Sequence, residues 1–430
     1  MNSKLIKELP ELVTNEVISE DVAINIERYY ASKTENSSNR LFMVFGVLGS
    51  LLIGLGIILI LAHNWDSFTK TTKTIIAFLP LIIGQFIVGF SILNKMSQVW
   101  KESSGTFLFF AVGSSIALVS QIYNIPGDLS DYLLTWIVLC LPLVYLLKSN
   151  ALAILYMVFL TYYATELGYG FNTTDKTPWL YLVGVALVLP YYIQLLRHNA
   201  NTNITSIFNW ILPLSLTIVL GAFVKQNDEF GFLMYIILFG LFYNIGKVPF
   251  FDSQKLRRNG FLIFGSLGTI ILLLNTSFRW MWEDVFNTPD LFTQEFYIAL
   301  VLFVITVIVL AYSYSKHWIK GFNLFQYVFI LFTILFFIGM SNEIIPTLFV
   351  NIIIFALGLV TVKIGTDKFH FGILNYGLLI ITALVVCRFF DTNMSYVIRG
   401  LLFVGVGFGF FLTNYIMLKK QNPRVIQQGK

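Results

Sequence analysis

Charge, cysteine and histidine are all scarce in this chain. Asp, Glu, Lys and Arg make up 12% of the 430 residues, with two cysteines and four histidines. Cys140 and Cys387 each sit inside an apolar run, without the polar partners that lower a thiol pKa. Both read as small hydrophobes, and no disulfide is required. His63, His198, His317 and His370 are too scattered for a His-rich metal site. There is no GxSxG, HExxH, P-loop or CxxC, nor a GxGxxG on a strand–helix unit. The chain therefore names no catalytic residue, no cofactor and no metal, and an enzyme is not the favoured reading. The absence of a long hydrophilic block excludes a large soluble domain, and no nucleic-acid partner is expected.

What fills the chain is apolar: 57% hydrophobic residues, 17% aromatic, and a mean hydropathy of +0.77. From Leu41 to Ala62 no charge occurs. At 1.5 Å per residue that run is about 33 Å long, enough to cross a bilayer core. Similar runs recur to the end of the chain. The expected spans are approximately 41–62, 74–93, 106–124, 133–148, 150–166, 179–196, 207–224, 232–248, 260–275, 294–314, 323–340, 345–363, 370–390 and 396–418. The stretch 133–166 is divided only at Lys148-Ser149-Asn150, read as a tight turn between two shortish helices. The expected fold is an all-α polytopic bundle of about fourteen transmembrane helices.

The basic residues orient these spans. With the N-terminus inside, 21 of the 28 Lys and Arg fall in cytoplasmic segments, and only Lys70, Lys73, Lys176, Lys225 and Arg279 fall in the opposite loops. This positive-inside asymmetry places both termini in the cytoplasm. Over half of the acids lie on the outer side, giving that face a negative potential that favours cations and basic partners.

Residues 1–40 read as a cytoplasmic amphipathic helical hairpin. A helix around Leu5 to Val13 turns at Asn15 into a second, capped by Ser19, with Glu20 and Asp21 in its first turn and Val22, Ile26 and Tyr29 on one face. The segment has no signal-peptide core, so 41–62 is expected to be a retained span. It reads as a juxtamembrane anchor, since forty residues rarely bury a core alone. Membrane regions 41–166 (spans 1–5) and 167–418 (spans 6–14) follow, then a basic cytoplasmic tail, 419–430. Gly46, Ser50 and Gly54, and the Gly405/Gly409 GxxxG, suit close helix approach, either within the bundle or across a homodimer seam.

Two polar stretches interrupt the apolar pattern at the outer ends of spans one and three. The first is His63-Asn64-Trp65-Asp66. The second runs from Gln121 through Ile122, Tyr123 and Pro126-Gly127 to Asp128, with Asp131 and Trp136 beyond. Asn64, Trp65, Asp66, Gln121, Tyr123, Asp128 and Asp131 are the candidate ligand-binding residues. Their amides, phenol and carboxylates can coordinate a cation or hydrogen-bond a sugar, peptide or lipid headgroup, with Trp65 as a stacking platform. The competing reading makes the aromatics an interfacial belt and the polar groups caps and turns. Within the spans, Gln85, Asn351, Asn375 and Asn414 are expected to hydrogen-bond between helices. Pro80, Pro142, Pro190 and Pro213 mark places where helices can break. Arg388 is costly at membrane depth and is expected to pair with Asp391, one turn away.

The Asn64-Trp65 that ends a glycine-rich first span, the Gln121-Ile122-Tyr123 followed by Gly127-Asp128, and the Trp136, Leu141-Pro142 and Leu146-Leu147-Lys148 beyond carry a resemblance. Over about residues 5–165 the chain resembles the bacterial multi-pass membrane proteins grouped as domain of unknown function 2157. The family has no established activity, so the resemblance implies a bacterial inner (cytoplasmic) membrane location but no reaction. The function expected is that of a transporter or flippase-like protein, because many spans, glycine-rich helices and broken helices suit alternating access. The alternatives are a non-transporting envelope scaffold or accessory subunit docking another membrane or periplasmic protein, and a membrane-embedded transferase using an acid pair such as Asp128 and Asp131. The expected partners are the lipid bilayer and a small-molecule, lipid or ion ligand.

Overall fold

Hydrocarbon offers no partner to a backbone N–H or C=O, so a chain this apolar satisfies its backbone within helices. The computed structural model describes residues 2–28, 44–49, 51–53, 55–56, 59, 67–170, 176–286, 291–319, 323–391, 397, 400–401, 403–405 and 407–415, of which 2–7, 390 and 391 are described by their backbone. All regular elements among the described residues are helical. Among the described residues ten helices are long and apolar enough to cross a membrane, and shorter apolar helices occur at Val44–Ile53, Gly260–Thr276, Val328–Gly339 and Phe403–Tyr415. This is the architecture of a multi-pass helical membrane protein. The chain divides into two units, Met1–Tyr163 and Ala164–Lys430.

In the first unit, α1 (Asn2–Thr14) and a helical stretch at 20–28 form the two helices expected before the first apolar run. The turn between them holds Glu16 at a φ of 54°. Next come α2 (Lys70–Leu93), α3 (Gln98–Tyr123), α4 (Leu129–Leu147) and α5 (Asn150–Gly168), whose last turn and a half passes into the second unit. The break expected at Lys148-Ser149-Asn150 is present, with Lys148 in the left-handed conformation at the end of α4.

Helix α3 starts eight residues before the expected 106, and the acid in its second turn is buried and paired rather than left in a loop. Glu102, 2% exposed, accepts the Ser149 hydroxyl, the Asn150 and Ala151 N–H groups (both 2.9 Å) and the Gln98 side-chain amide at 3.1 Å. The acid on α3 thus caps the N-terminus of α5, whose first N–H groups have no partner within their own helix. The other end of α3 is tied to α2 by Tyr123 and Thr74, whose hydroxyls lie 3.0 Å apart. Gly46 of the Val44–Ile53 helix would bring an added Cβ to 3.0 Å from the Ser103 hydroxyl.

The second unit is built around α8 (Asp228–Gly246), buried over 72% of its spanning window against 22% for α10 (Gln294–Ser315). Its all-round apolar sequence fits an interior position. It touches α7 (Asn203–Leu220), α9 (Gly260–Thr276), α10 and α11 (Val328–Gly339). Helix α6 (Trp179–His198) packs on α7, while α12 (Ile344–Asp367) pairs with α13 (Phe371–Asp391). The expected span 323–340 begins instead as a 3-10 turn, Leu324–Gln326. Buried Gln326 there donates to Asn244 Oδ1 (3.2 Å), and Asn244 returns a bond to the Gln326 carbonyl (3.2 Å).

Asn351 and Asn414 bond between helices as expected, to the Ser277 carbonyl (3.0 Å) and to Asn375 Oδ1 (3.1 Å). The prolines depart from expectation: α2, α4, α6 and α7 continue through Pro80, Pro142, Pro190 and Pro213. Membrane helices tolerate proline where neighbours accommodate the freed carbonyl. Pro213 frees the Asn209 carbonyl, and Gly260 lies directly against it, leaving no room for a Cβ. Gly405 and Gly409 face open space, so their GxxxG makes no close approach to another described helix.

At the opposite end of α8, buried Glu295 accepts the N–H groups of Lys225 (2.7 Å) and Gln226 (3.0 Å). Gln294 beside it donates to the Phe223 carbonyl at 3.2 Å.

Replacing Glu102 with Ala strands a buried hydroxyl and two N–H groups, each worth about 1–3 kcal/mol when left unpaired. The Glu102→Ala protein is expected to unfold in detergent several degrees below wild type. Glu102→Gln, which keeps one acceptor oxygen, should fall between the two in the same thermal melt.

Candidate functional site

Helices α2, α3 and α4 enclose an open cleft of about 820 Å3 whose wall follows helical periodicity. Phe78, Leu81 and Gln85 line it from α2, Val112, Ser115, Ile116, Val119 and Ser120 from α3, and Asp131, Tyr132, Thr135 and Leu139 from α4. Spacings of three, four and seven residues put each set on one helix face. The mouth is the Ile125–Asp128 connection. From Asp128 to Leu139 the cleft follows α4 for about 16 Å, roughly half of a hydrocarbon core.

A second layer of contacts fixes this shape. Gly113 gives the Trp136 indole a seat with no space for a Cβ, and the indole N–H donates to the Phe109 carbonyl at 2.7 Å. Phe159 of α5 closes the aromatic stack, its centroid 4.5 Å from that of Trp136. Ser115 donates to the Ala77 carbonyl (2.7 Å), locking α2 to α3, and Tyr132 donates to the Gly113 carbonyl (3.1 Å), locking α3 to α4.

The polar groups in the wall thus divide into two kinds. Ser115, Ser120, Tyr132 and Thr135 each donate to a backbone carbonyl. The carboxylates of Asp128 and Asp131 and the amide of Gln85 are not taken up by such bonds among the described residues. Asp128 occupies the N-cap position of α4, yet its side chain makes no capping hydrogen bond. Both acids are exposed and lie at the start of α4, where the helix dipole favours negative charge. The arrangement suits a ligand that is apolar along its length and positively charged or hydrogen-bond-donating at its head.

The structure brings together only part of the expected site. Asp128 and Asp131 line the cleft; Gln121 and Tyr123 do not, being exposed near its rim, with Tyr123 bonded to Thr74. Asn64, Trp65 and Asp66 lie outside the described residues. Gln85, expected to bond to another helix, is exposed and faces the cleft instead. In the second unit, Arg388 donates to the Ser277 hydroxyl at 3.0 Å and lies 4.8 Å from the Phe278 ring centroid. The Asp391 side chain is outside the described set. Among the described residues no group of His, Cys, Asp and Glu could hold a metal ion.

Residues 10–153 match the model of the DUF2157 family, described as a predicted membrane protein. The DUF2157 match lies within the first unit and contains every residue of the cleft wall. It starts and stops close to the resemblance in the sequence, which covers about 5–165. No curated protein and no solved structure matches the chain.

The seat beneath Trp136 yields a direct test. Gly113→Ala pushes the indole off its position, an overpacking that costs about 1–3 kcal/mol. Gly127→Ala, at a mouth position with open space around it, should leave the melting temperature unchanged. Equal melts for the two variants would place the Trp136 contact elsewhere.

Proposed function

We propose that the protein is a transporter of flippase type in the bacterial cytoplasmic membrane, and that its first unit accepts an amphiphile through the cleft between α2, α3 and α4. The observation that supports this reading is the depth of the cleft combined with the division of its wall. Two carboxylates stand at the mouth, apolar side chains run inward from them, and Gln85 lies about 22 Å along α2 from its start at Lys70. A polar headgroup moving between leaflets needs polar contacts at more than one depth, and a wholly apolar groove offers none. The acids favour a headgroup bearing an ammonium or several hydroxyls.

The reading extends to topology. Each of the four shorter apolar helices falls at one of the fourteen expected runs, and the asymmetry of Lys and Arg favours an arrangement with both termini in the cytoplasm and the acidic mouth outside. In a Cys140→Ser, Cys387→Ser background, cysteines at 128 and 284 are expected to react with an impermeant maleimide on intact cells. Cysteines at 255 and 368 should react only after permeabilisation. Two positions on the wrong side would sink the fourteen-span arrangement.

Transport is tested in liposomes carrying fluorescent phosphatidylethanolamine, by following how fast the inner-leaflet probe becomes accessible to dithionite. Wild-type protein should speed that exchange. Asp128→Asn combined with Asp131→Asn, and separately Gln85→Leu, should each slow it at least about fivefold without lowering the melting temperature. Exchange equal to that of protein-free liposomes, or unaffected by these variants, refutes the proposal.

A further inference from the structure

The connection between α8 and α9 forms a second cavity, of about 420 Å3, with a different chemistry. It is lined by Asn201, Ser253, Gln254, Lys255, Arg257 and Arg258. Every one of these side chains can donate hydrogen bonds, three are cationic, and none is acidic. The nearest acid in sequence, Asp252, is already engaged by Lys247 at 3.0 Å, so it does not neutralise the cavity. Arg258 is held in place by the Asn201 carbonyl and by Asn203 Oδ1 at 3.3 Å. Helices α7 and α9 both begin beside the cavity, at Asn203 and Gly260, adding the positive ends of two helix dipoles.

The surroundings set its depth. Trp210, one to two turns into α7, donates its indole N–H to the Arg257 carbonyl at 3.0 Å. Tryptophan collects at the membrane–water interface, so the cations just beyond it stand at the level of lipid headgroups. Leu256, 41% exposed between Lys255 and Arg257, offers an apolar contact at the same level.

We infer that this cavity is a binding site for a phosphate group, presented by the headgroup of an anionic phospholipid. Basic pockets between the ends of membrane helices suit such headgroups, and arginine's planar fork matches two phosphate oxygens at once. The site is in the second unit and stands independently of the transport reading.

The test uses full-length protein in neutral detergent, measuring melting temperature against added phosphatidylglycerol, phosphatidylcholine or inorganic phosphate. Phosphatidylglycerol is expected to raise the melting temperature by several degrees at concentrations where phosphatidylcholine does nothing. The double variant Lys255→Gln, Arg257→Gln should melt as wild type without lipid and need at least about fivefold more phosphatidylglycerol for the same rise. Lys95→Gln with Lys368→Gln, which removes basic charge elsewhere, should leave the response intact. An equal rise with inorganic phosphate, lost in the Lys255/Arg257 variant, supports the phosphate site and assigns it to a soluble ligand. No preference over phosphatidylcholine and no response to phosphate, or a phosphatidylglycerol response that survives the Lys255/Arg257 change, overturns the inference.

Discussion

The geometry of the first unit follows from satisfying the two oxygens of one buried carboxylate. Glu102 stands where the start of α3 meets the turn from α4 to α5, and it accepts from Ser149, Asn150 and Ala151 together. A charge removed from water is tolerated when donors surround it, and the first N–H groups of α5 need acceptors that their own helix cannot supply. Each deficit answers the other. With α5 fixed against α3, Phe159 reaches Trp136, and Trp136 in turn sets the spacing of α3 and α4 on which the cleft depends.

The second unit meets the same problem in a similar way. Glu295, at the head of α10, takes the N–H groups of Lys225 and Gln226 just before α8 begins. The end of α8 is secured by the amide exchange between Asn244 and Gln326. In both units, polar residues at helix ends fix how helices join, whereas the apolar faces decide only that they pack.

Helices were legible in the sequence wherever an apolar run was long and bounded by charge. Even the break at Lys148-Ser149-Asn150 could be read, because three polar residues interrupt an otherwise continuous run. The boundaries were less legible where a polar residue is buried by pairing: Gln98, Lys101 and Glu102 look like a loop until Ser149 and Asn150 are placed beside Glu102. The candidate site was legible in part. Asp128 and Asp131 stood out as acids in an apolar setting. Gln85 could be seen as an intramembrane amide, but its direction depends on how α2 is rotated, which periodicity alone does not fix in a helix apolar on most sides. Extending the three-and-four spacing from Asp128 through Asp131 and Thr135 would have traced the α4 wall. The prolines misled for a related reason, since whether a helix survives one depends on a neighbour such as Gly260 meeting the freed carbonyl.

Asp128 holds the position of a helix cap without performing the task. The α4 N-terminus does not rely on its side chain, so this carboxylate contributes little to the architecture and is available to solvent and solute. The residues that hold these helices together and those that set the charge of the mouth are therefore different ones. With the Trp136 seat and the Ser115 and Tyr132 ties in place, the mouth can change without disturbing how α2, α3 and α4 pack. Exchanging one acid for an amide or a base would change the charge of the mouth while leaving the same scaffold in place.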